Sequence, residues 1–321
     1  MNSSISNLLD VNPSQIELIQ DLWGGYGTLS RYYLNSDRSK SVIVKEINFP
    51  SQKSNQHPRG WNTEKSHLRK KKSYKVEWEW YREFEKHCSN ACRVPKLYEA
   101  IENKTEQILV LEDLDASGFP KRKKELDFKE LQLCLKWLAH FHASFVGTKP
   151  IGLWDVGTYW HLDTRPDELE KMEKGWLKES ASYIDEQLNQ AQYQTLVHGD
   201  AKVANFCFSE DLENVAAVDF QYVGGGCGMK DVIYLMSSCL SPKDFELDEE
   251  AILDTYFELL QNALREQNKK IDFKALEKEW RRLYFFAWAD FYRFLKGWAP
   301  DHYKLDLYHE SRLKEFILKT N

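Results

Sequence analysis

Apolar residues follow two rhythms along the chain. Ser41-Val42-Ile43-Val44-Lys45-Glu46-Ile47 and Gln107-Ile108-Leu109-Val110-Leu111-Glu112-Asp113-Leu114 are short apolar runs that predict strands. Val94-Pro95-Lys96-Leu97-Tyr98 starts another. Past residue 118 a helical period takes over. Leu131, Cys134, Leu135, Leu138, Phe141, His142 and Phe145 share one face, which makes His142 a hydrogen-bonded core residue. Residues 168–192 continue the helical pattern, and 249–265 and 273–296 form two long helices. In the second of these, Trp280, Tyr284, Trp288, Phe291 and Leu295 make a core stripe. Residues 1–20 read as an amphipathic lead-in, with Ile16, Ile19 and Leu22 at near-helical spacing.

Two charges fall inside these apolar patterns. On a helix predicted to begin near Tyr74, Glu77, Trp80, Tyr81, Phe84 and Cys88 recur at steps of three and four, with Glu77 on the buried face. A carboxylate there is costly unless paired, and Lys45, pointed inward from its strand, is the natural partner. Glu79 lies on the outer face. The polar stretch between them, Asn48–Ser73, reads as a long loop able to close over a substrate or to remain disordered.

The densest chemistry lies in Leu196-Val197-His198-Gly199-Asp200-Ala201-Lys202-Val203-Ala204-Asn205 and Val218-Asp219-Phe220-Gln221. Phosphoryl transfer needs a carboxylate to receive the proton of the attacking hydroxyl and oxygen ligands to hold Mg²⁺ against nucleotide phosphates. In H-R-D-x-x-x-x-N followed by D-F-G, the first Asp is the base and the Asn and second Asp bind metal. Asp200 and Asn205 keep that five-residue step. Phe206-Cys207-Phe208 and Val215–Val218 read as a hairpin turning near Leu212, which sets Asn205 and Asp219 at its open end, within reach of one cation.

His198-Gly199-Asp200 with Asn205, then Val218-Asp219-Phe220-Gln221, resembles the aminoglycoside phosphotransferase and choline kinase-like superfamily, nearest its ecdysteroid kinase-like branch. The resemblance implies an α+β, bilobal protein-kinase-like fold: a small antiparallel-sheet N-lobe with one main helix (1–114) and a larger, mostly helical C-lobe (115–321). It implies an ATP- and Mg²⁺-dependent kinase of a small hydroxylated molecule. Asp200 would be the catalytic base, Asn205 and Asp219 the metal ligands, and Lys45, held by Glu77, a phosphate-binding cation. Gly24, Gly25 and Gly27, in Trp23-Gly24-Gly25-Tyr26-Gly27-Thr28, would cover the phosphates, although Ser30 stands where G-x-G-x-x-G needs its last glycine. Backbone groups near Glu112 and Leu114 would face the adenine. His198 and Asp231 would be supporting, Asp231 as a helix N-cap that also braces the catalytic loop. Gly224–Gly228 would be a flexible turn replacing an activation segment. Asp290, Tyr292, Arg293 or Trp298 would touch an acceptor that is choline-like, an antibiotic, steroid-like or a sugar. A kinase-fold nucleotide-binding or regulatory protein without turnover is the alternative.

Composition narrows the setting. The chain has 321 residues, 42% hydrophobic and 14% aromatic, enough for two packed lobes. A net charge of −6 and a pI of 5.9 argue against general attraction to nucleic acid or anionic membrane. The basic clusters Arg69–Lys72 and Lys121–Lys124 read as solvated loop charge. The six cysteines lack C-x-x-C spacing and fit reduced thiols better than disulfides or zinc. The N-terminus lacks a basic start with an apolar run, so a soluble, cytoplasmic protein is expected.

Overall fold

The computed structural model describes residues 12–22, 25–49, 64–103 and 105–320, which form two compact units. Of these described residues, the first unit holds those up to 89, from 93 to 122 and from 207 to 218; the second holds the rest.

In the first unit five antiparallel strands, β1 (Gln15–Asp21), β2 (Gly27–Tyr33), β3 (Ser41–Asn48), β4 (Leu97–Glu102) and β5 (Glu106–Glu112), lie in the order β1-β2-β3-β5-β4. Side chains two apart on a strand share a face. Val42 and Val44 of β3 therefore join Tyr32, Ile108 and Val110 in one cluster, while Ile47 packs with Leu22, Tyr26 and Tyr74 on the other side. Lys45 has the parity of Ile47, so it faces the helix α1 (Glu64–Glu79) that carries Tyr74.

Three expectations fail in this unit. The lead-in containing Ile16 and Ile19 is strand β1, not a helix. A bulge between Leu18 and Gln20 shifts the side-chain alternation, and both isoleucines are exposed. The helix carrying Glu77 begins at Glu64, not near Tyr74, so part of the supposed loop, including Arg69–Lys72, is helical. Its first turns lack an apolar stripe but are anchored by His67, whose Nδ1 hydrogen-bonds with the Tyr26 hydroxyl, and by Tyr74, 5.5 Å from the Tyr26 ring.

The second unit is built on α2 (Phe128–Phe145), α3 (Pro166–Lys171), α4 (Trp176–Glu179), α5 (Ala181–Asn189), α6 (Met229–Cys239), α7 (Pro242–Glu266), α8 (Phe273–Trp298) and α9 (Leu307–Thr320). Asp127 caps α2 in a reciprocal box with Glu130, and Asp272 caps α8 at Ala275 N. His142 is fully buried, bonded to the Tyr256 hydroxyl at 2.7 Å and Asp231 Oδ2 at 3.1 Å. The stripe Trp280, Tyr284, Trp288, Phe291 and Leu295 is core throughout. The pattern over 168–192 breaks into three short helices, and α9 had no counterpart in the sequence reading.

The glycine segment is also not a free turn. Gly224–Gly226 forms strand β9, paired antiparallel with β6 (Thr195–Val197). A Cβ on Gly224 would lie 2.2 Å from Trp154 O, so the glycines here permit close packing. Among the described residues no helix is long and apolar enough to cross a membrane.

Candidate active site

Two groups of candidate residues exist, one in each unit. In the first, Lys45 Nζ donates to Glu77 Oε2 at 2.5 Å, and both residues are buried. Glu79 is 31% exposed and sits near Arg82 instead. Gly25 and Gly27 have φ of 74° and 135°, and Leu22 N bonds to Gly27 O at 2.8 Å to close the turn. Gly24 lies outside the described residues. Glu112 and Asp113 have structural side chains: Arg93 holds the Glu112 carboxylate, and Arg31 and Ser41 hold Asp113, each at 2.6 Å. The backbone near the expected adenine contacts is already engaged in part. Glu112 N donates to Lys96 O, and Leu114 O accepts from Phe119 N at 2.8 Å.

The loop after β6 carries the second group. His198 N and Gly199 N donate to the two oxygens of Asp231, at 2.6 and 2.9 Å. With His142 Nε2 this gives Asp231 three donors. Asp231 lies within the first turn of α6 and is not its cap; Gly228 occupies that position. Its carboxylate is committed to the loop instead of its own helix end. Gly199 has φ 80°, and a Cβ there would lie 2.0 Å from Tyr222 O and 2.8 Å from Thr158 N. No arginine fits at this position, which gives the glycine of His198-Gly199-Asp200 a physical reason.

Asp200 is 7% exposed. Its Oδ2 accepts from Asn205 Nδ2 at 3.0 Å and from Lys202 Nζ at 3.1 Å, and Asn205 Nδ2 also reaches Asp200 O at 2.8 Å. Burial raises the Asp200 pKa above the usual carboxylate range; Lys202 opposes the shift and the Asp219 charge adds to it. Beside Asp200, the hydroxyl pKa of Tyr234 is pushed up by burial and by the Asp200 charge, as is that of Tyr159. The helical 3₁₀ turn Val203–Asn205 is pinned where Val203 N donates to Ser238 Oγ at 2.9 Å.

Asn205 is followed directly by strand β7 (Phe206–Phe208), which pairs with β8 (Val215–Ala217); Leu212, at φ 57°, marks the turn. Asp219 has φ 71°, and its Oδ1 accepts from Gln221 Nε2 at 2.8 Å. Non-glycine residues at positive φ cost energy and concentrate at functional sites.

A magnesium ion fits this donor set as a shared ligand and not as an isolated one. Asn205 spends its amide nitrogen on Asp200, which leaves Oδ1 as its acceptor, and Asp219 adds a carboxylate. Among the described residues no three His, Cys, Asp or Glu side chains form a metal-holding group. Mg²⁺ commonly binds through one or two carboxylates completed by substrate phosphates and water.

Three residues at this site have no role in the sequence reading. Lys202 stands two residues after Asp200, within the motif itself. Tyr234 lies three after Asp231 on α6, hence on the same helical face, and the Asp231 contacts with the loop could have led to it. Tyr159 reaches Asp200 only through tertiary structure, where residues 154–159 run beside 222–225. Asp290 and Arg293, expected among the acceptor contacts, pair with each other, and each keeps one buried polar atom without a hydrogen-bond partner among the described residues, Asp290 Oδ2 and Arg293 Nη1. Both are buried, and Arg293 donates to Asp290 Oδ1 at 2.8 Å and to Trp160 O.

A five-stranded antiparallel sheet followed by a mostly helical remainder gives the α+β, protein-kinase-like fold. The sequence matches the ecdysteroid kinase-like family over residues 29–149 and 156–269, and the chain belongs to that family. Similar solved structures include a microcompartment-associated aminopropanol kinase, with 11% identity, a TM-score of 0.50 and coverage of 99% of this chain and 94% of the other. An ethanolamine kinase of Plasmodium vivax shares 11% identity at a TM-score of 0.48, covering 95% of this chain and 81% of its own. An aminoglycoside phosphotransferase from Streptomyces rimosus, solved with ADP and streptomycin, shares 12% identity at a TM-score of 0.44, covering 88% and 97%. No curated protein sequence matches the chain.

Proposed function

We propose that the protein is an ATP-dependent kinase that transfers the γ-phosphoryl group to a hydroxyl of a small molecule. The observation that carries this reading is the Asp200 carboxylate, buried and bonded to Lys202 and Asn205 in a loop fixed by Asp231. Family membership is consistent with it.

Asp200 accepts the proton of the acceptor hydroxyl as the oxygen bonds to the γ-phosphorus and the bond to the β-phosphate oxygen breaks, releasing ADP. A raised pKa favours this role, because a stronger base takes the proton more readily. Lys45, held in place by Glu77, binds nucleotide phosphates, and the Gly25–Gly27 turn covers them. Asn205 and Asp219 would hold Mg²⁺, which would supply charge neutralisation at the phosphoryl oxygens. Lys202 keeps a positive charge beside Asp200; burial opposes its protonation, but the Asp200 carboxylate outweighs that and raises its pKa.

ADP release from Mg·ATP during incubation with a deproteinised metabolite extract tests the proposal, wild type against Asp200→Asn. ADP formed by wild type, only with extract, and reduced roughly 10²–10⁴-fold in the variant is the expected result. Equal release by both proteins would refute the assignment of Asp200. Mg·ATP binding without any extract-dependent release would favour a nucleotide-binding protein without turnover.

A further inference from the structure

Among the residues that grip the loop after β6 is one in a backbone conformation it does not favour. Thr158 has φ 97° and is fully buried, and its Oγ1 has no hydrogen-bond partner among the described residues. A β-branched residue at positive φ is strained, and a buried hydroxyl without a partner adds to the cost. Glycine would adopt the same φ freely. Such strain persists only where the surroundings over-determine it, and it concentrates at functional sites.

The surroundings here are two segments that carry candidate site residues. Gly157 N, Thr158 N and Tyr159 N donate in succession to Gly225 O at 2.8 Å, Tyr222 O at 3.1 Å and Gly199 O at 3.3 Å. A regular strand sends neighbouring N–H groups to opposite sides. The turn at Thr158 instead brings two of them onto adjacent acceptors: Tyr222 O, just beyond Asp219, and Gly199 O, on the peptide that leads into Asp200. Trp154 continues the strap, donating from Nε1 to Gln221 O at 2.9 Å and from its backbone N to Val223 O at 3.2 Å. The strap is itself anchored, because Arg165 Nε donates to Tyr159 O at 2.6 Å.

The Gly199–Asp200 peptide is thereby held at both ends. Its oxygen accepts from Tyr159 N, and its N–H donates to His198 Nδ1 at 3.2 Å. A planar peptide gripped at O and N has little freedom to rotate, which fixes the direction in which the Asp200 side chain leaves the backbone.

We propose that Thr158 is a positioning residue whose turn locks the peptide before Asp200 to the segment after Asp219, so that the two carboxylates stand in fixed relation before any nucleotide binds; its catalytic purpose rests on the kinase roles proposed for Asp200 and Asp219. Thr158 touches no reacting atom and acts through the backbone alone.

Two substitutions separate the turn from the side chain. Thr158→Gly deletes the whole side chain but keeps the N–H and the φ, whereas Thr158→Pro removes the N–H and fixes φ at about −65°. Amide hydrogen exchange in the nucleotide-free protein reads the lock without turnover. Relative to amides in the middle of α2, the Tyr159 and Asp200 amides should exchange at least about tenfold faster in Thr158→Pro and within about twofold of wild type in Thr158→Gly. ADP release from Mg·ATP with metabolite extract reads the consequence. In Thr158→Pro kcat should fall at least about tenfold with KM for Mg·ATP within about twofold, and Thr158→Gly should retain the wild-type kcat. A glycine variant as impaired as the proline one would assign the effect to the side chain and overturn the proposal, as would wild-type exchange in Thr158→Pro. Exchange as expected without ADP release by any of the three proteins would support the lock and refute the kinase reading. Wild type alone gives a further test that needs no variant to fold. Its Tyr159 and Asp200 amides should exchange within about tenfold of those in the middle of α2, and exchange orders of magnitude faster would mean that the peptide is not held.

Discussion

Asp231 and Asp200 are both buried carboxylates of the second unit, and they are treated in opposite ways. Asp231 accepts from His198 N, Gly199 N and His142 Nε2, so burial costs it little. Asp200 receives one amide donor and one lysine at 3.0 and 3.1 Å, and its pKa remains raised because burial outweighs them. Satisfied carboxylates hold a loop in shape, whereas incompletely satisfied ones remain reactive. Glu77 in the first unit follows the pattern of Asp231: it is buried, but a lysine meets it at 2.5 Å.

If that contrast is right, breaking a satisfied charge should cost stability. The largest effect is expected from Lys45→Met, which takes the lysine charge away from the buried Glu77 carboxylate and should cost about 3–5 kcal/mol in denaturant unfolding. Adding Glu77→Gln should recover much of the stability while nucleotide binding stays lost. A double variant no more stable than the single one would show that the pair is not the source of the cost. Asp231→Ala should follow, at roughly 3 kcal/mol, because three donors lose their acceptor at once. A melting temperature within a degree of wild type would reduce Asp231 to a bystander.

Tyr234→Phe should have the smallest effect and the most specific one. Removing the polar hydroxyl beside Asp200 makes its surroundings less polar and raises the Asp200 pKa further, so the acid limb of the kcat profile should move to higher pH by less than about one unit. Stability should change by only about 1 kcal/mol. An unmoved acid limb would show that the limb does not report Asp200.

The local chemistry was legible in the sequence where it depends on short spacings. Asp200 with Asn205, the hairpin beyond them, and Glu77 on the buried stripe opposite Lys45 all follow from periods of two, three and four. His142 was legible as a core residue for the same reason. Reading failed where tertiary contacts override the local pattern. The bulge in β1 gave Ile16 and Ile19 a spurious helical step. The residues from Glu64 to Ser73 show little apolar face, because one tyrosine and one histidine anchor that part of the helix. Gly224–Gly226 looked flexible because sequence does not show Trp154 packed against it. Tyr159 is 41 residues from Asp200 in the chain, and only the path of residues 154–159 beside 222–225 joins them.

The central claim is that Asp200 is kept ionised at a cost in stability, for the sake of reactivity. Its folded pKa lies above the unfolded value, so the native state binds more protons between the two. Its contribution therefore favours folding at low pH and is lost as pH rises through the folded value. The most direct test is the melting temperature of wild type and Asp200→Asn from pH 4 to pH 8. The account predicts that the variant melts higher at neutral pH, with the gap narrowing as pH falls through the raised Asp200 pKa. A variant that melts lower than wild type at pH 7, with a deficit that shrinks on acidification, would mean that ionised Asp200 stabilises the fold, and would contradict it.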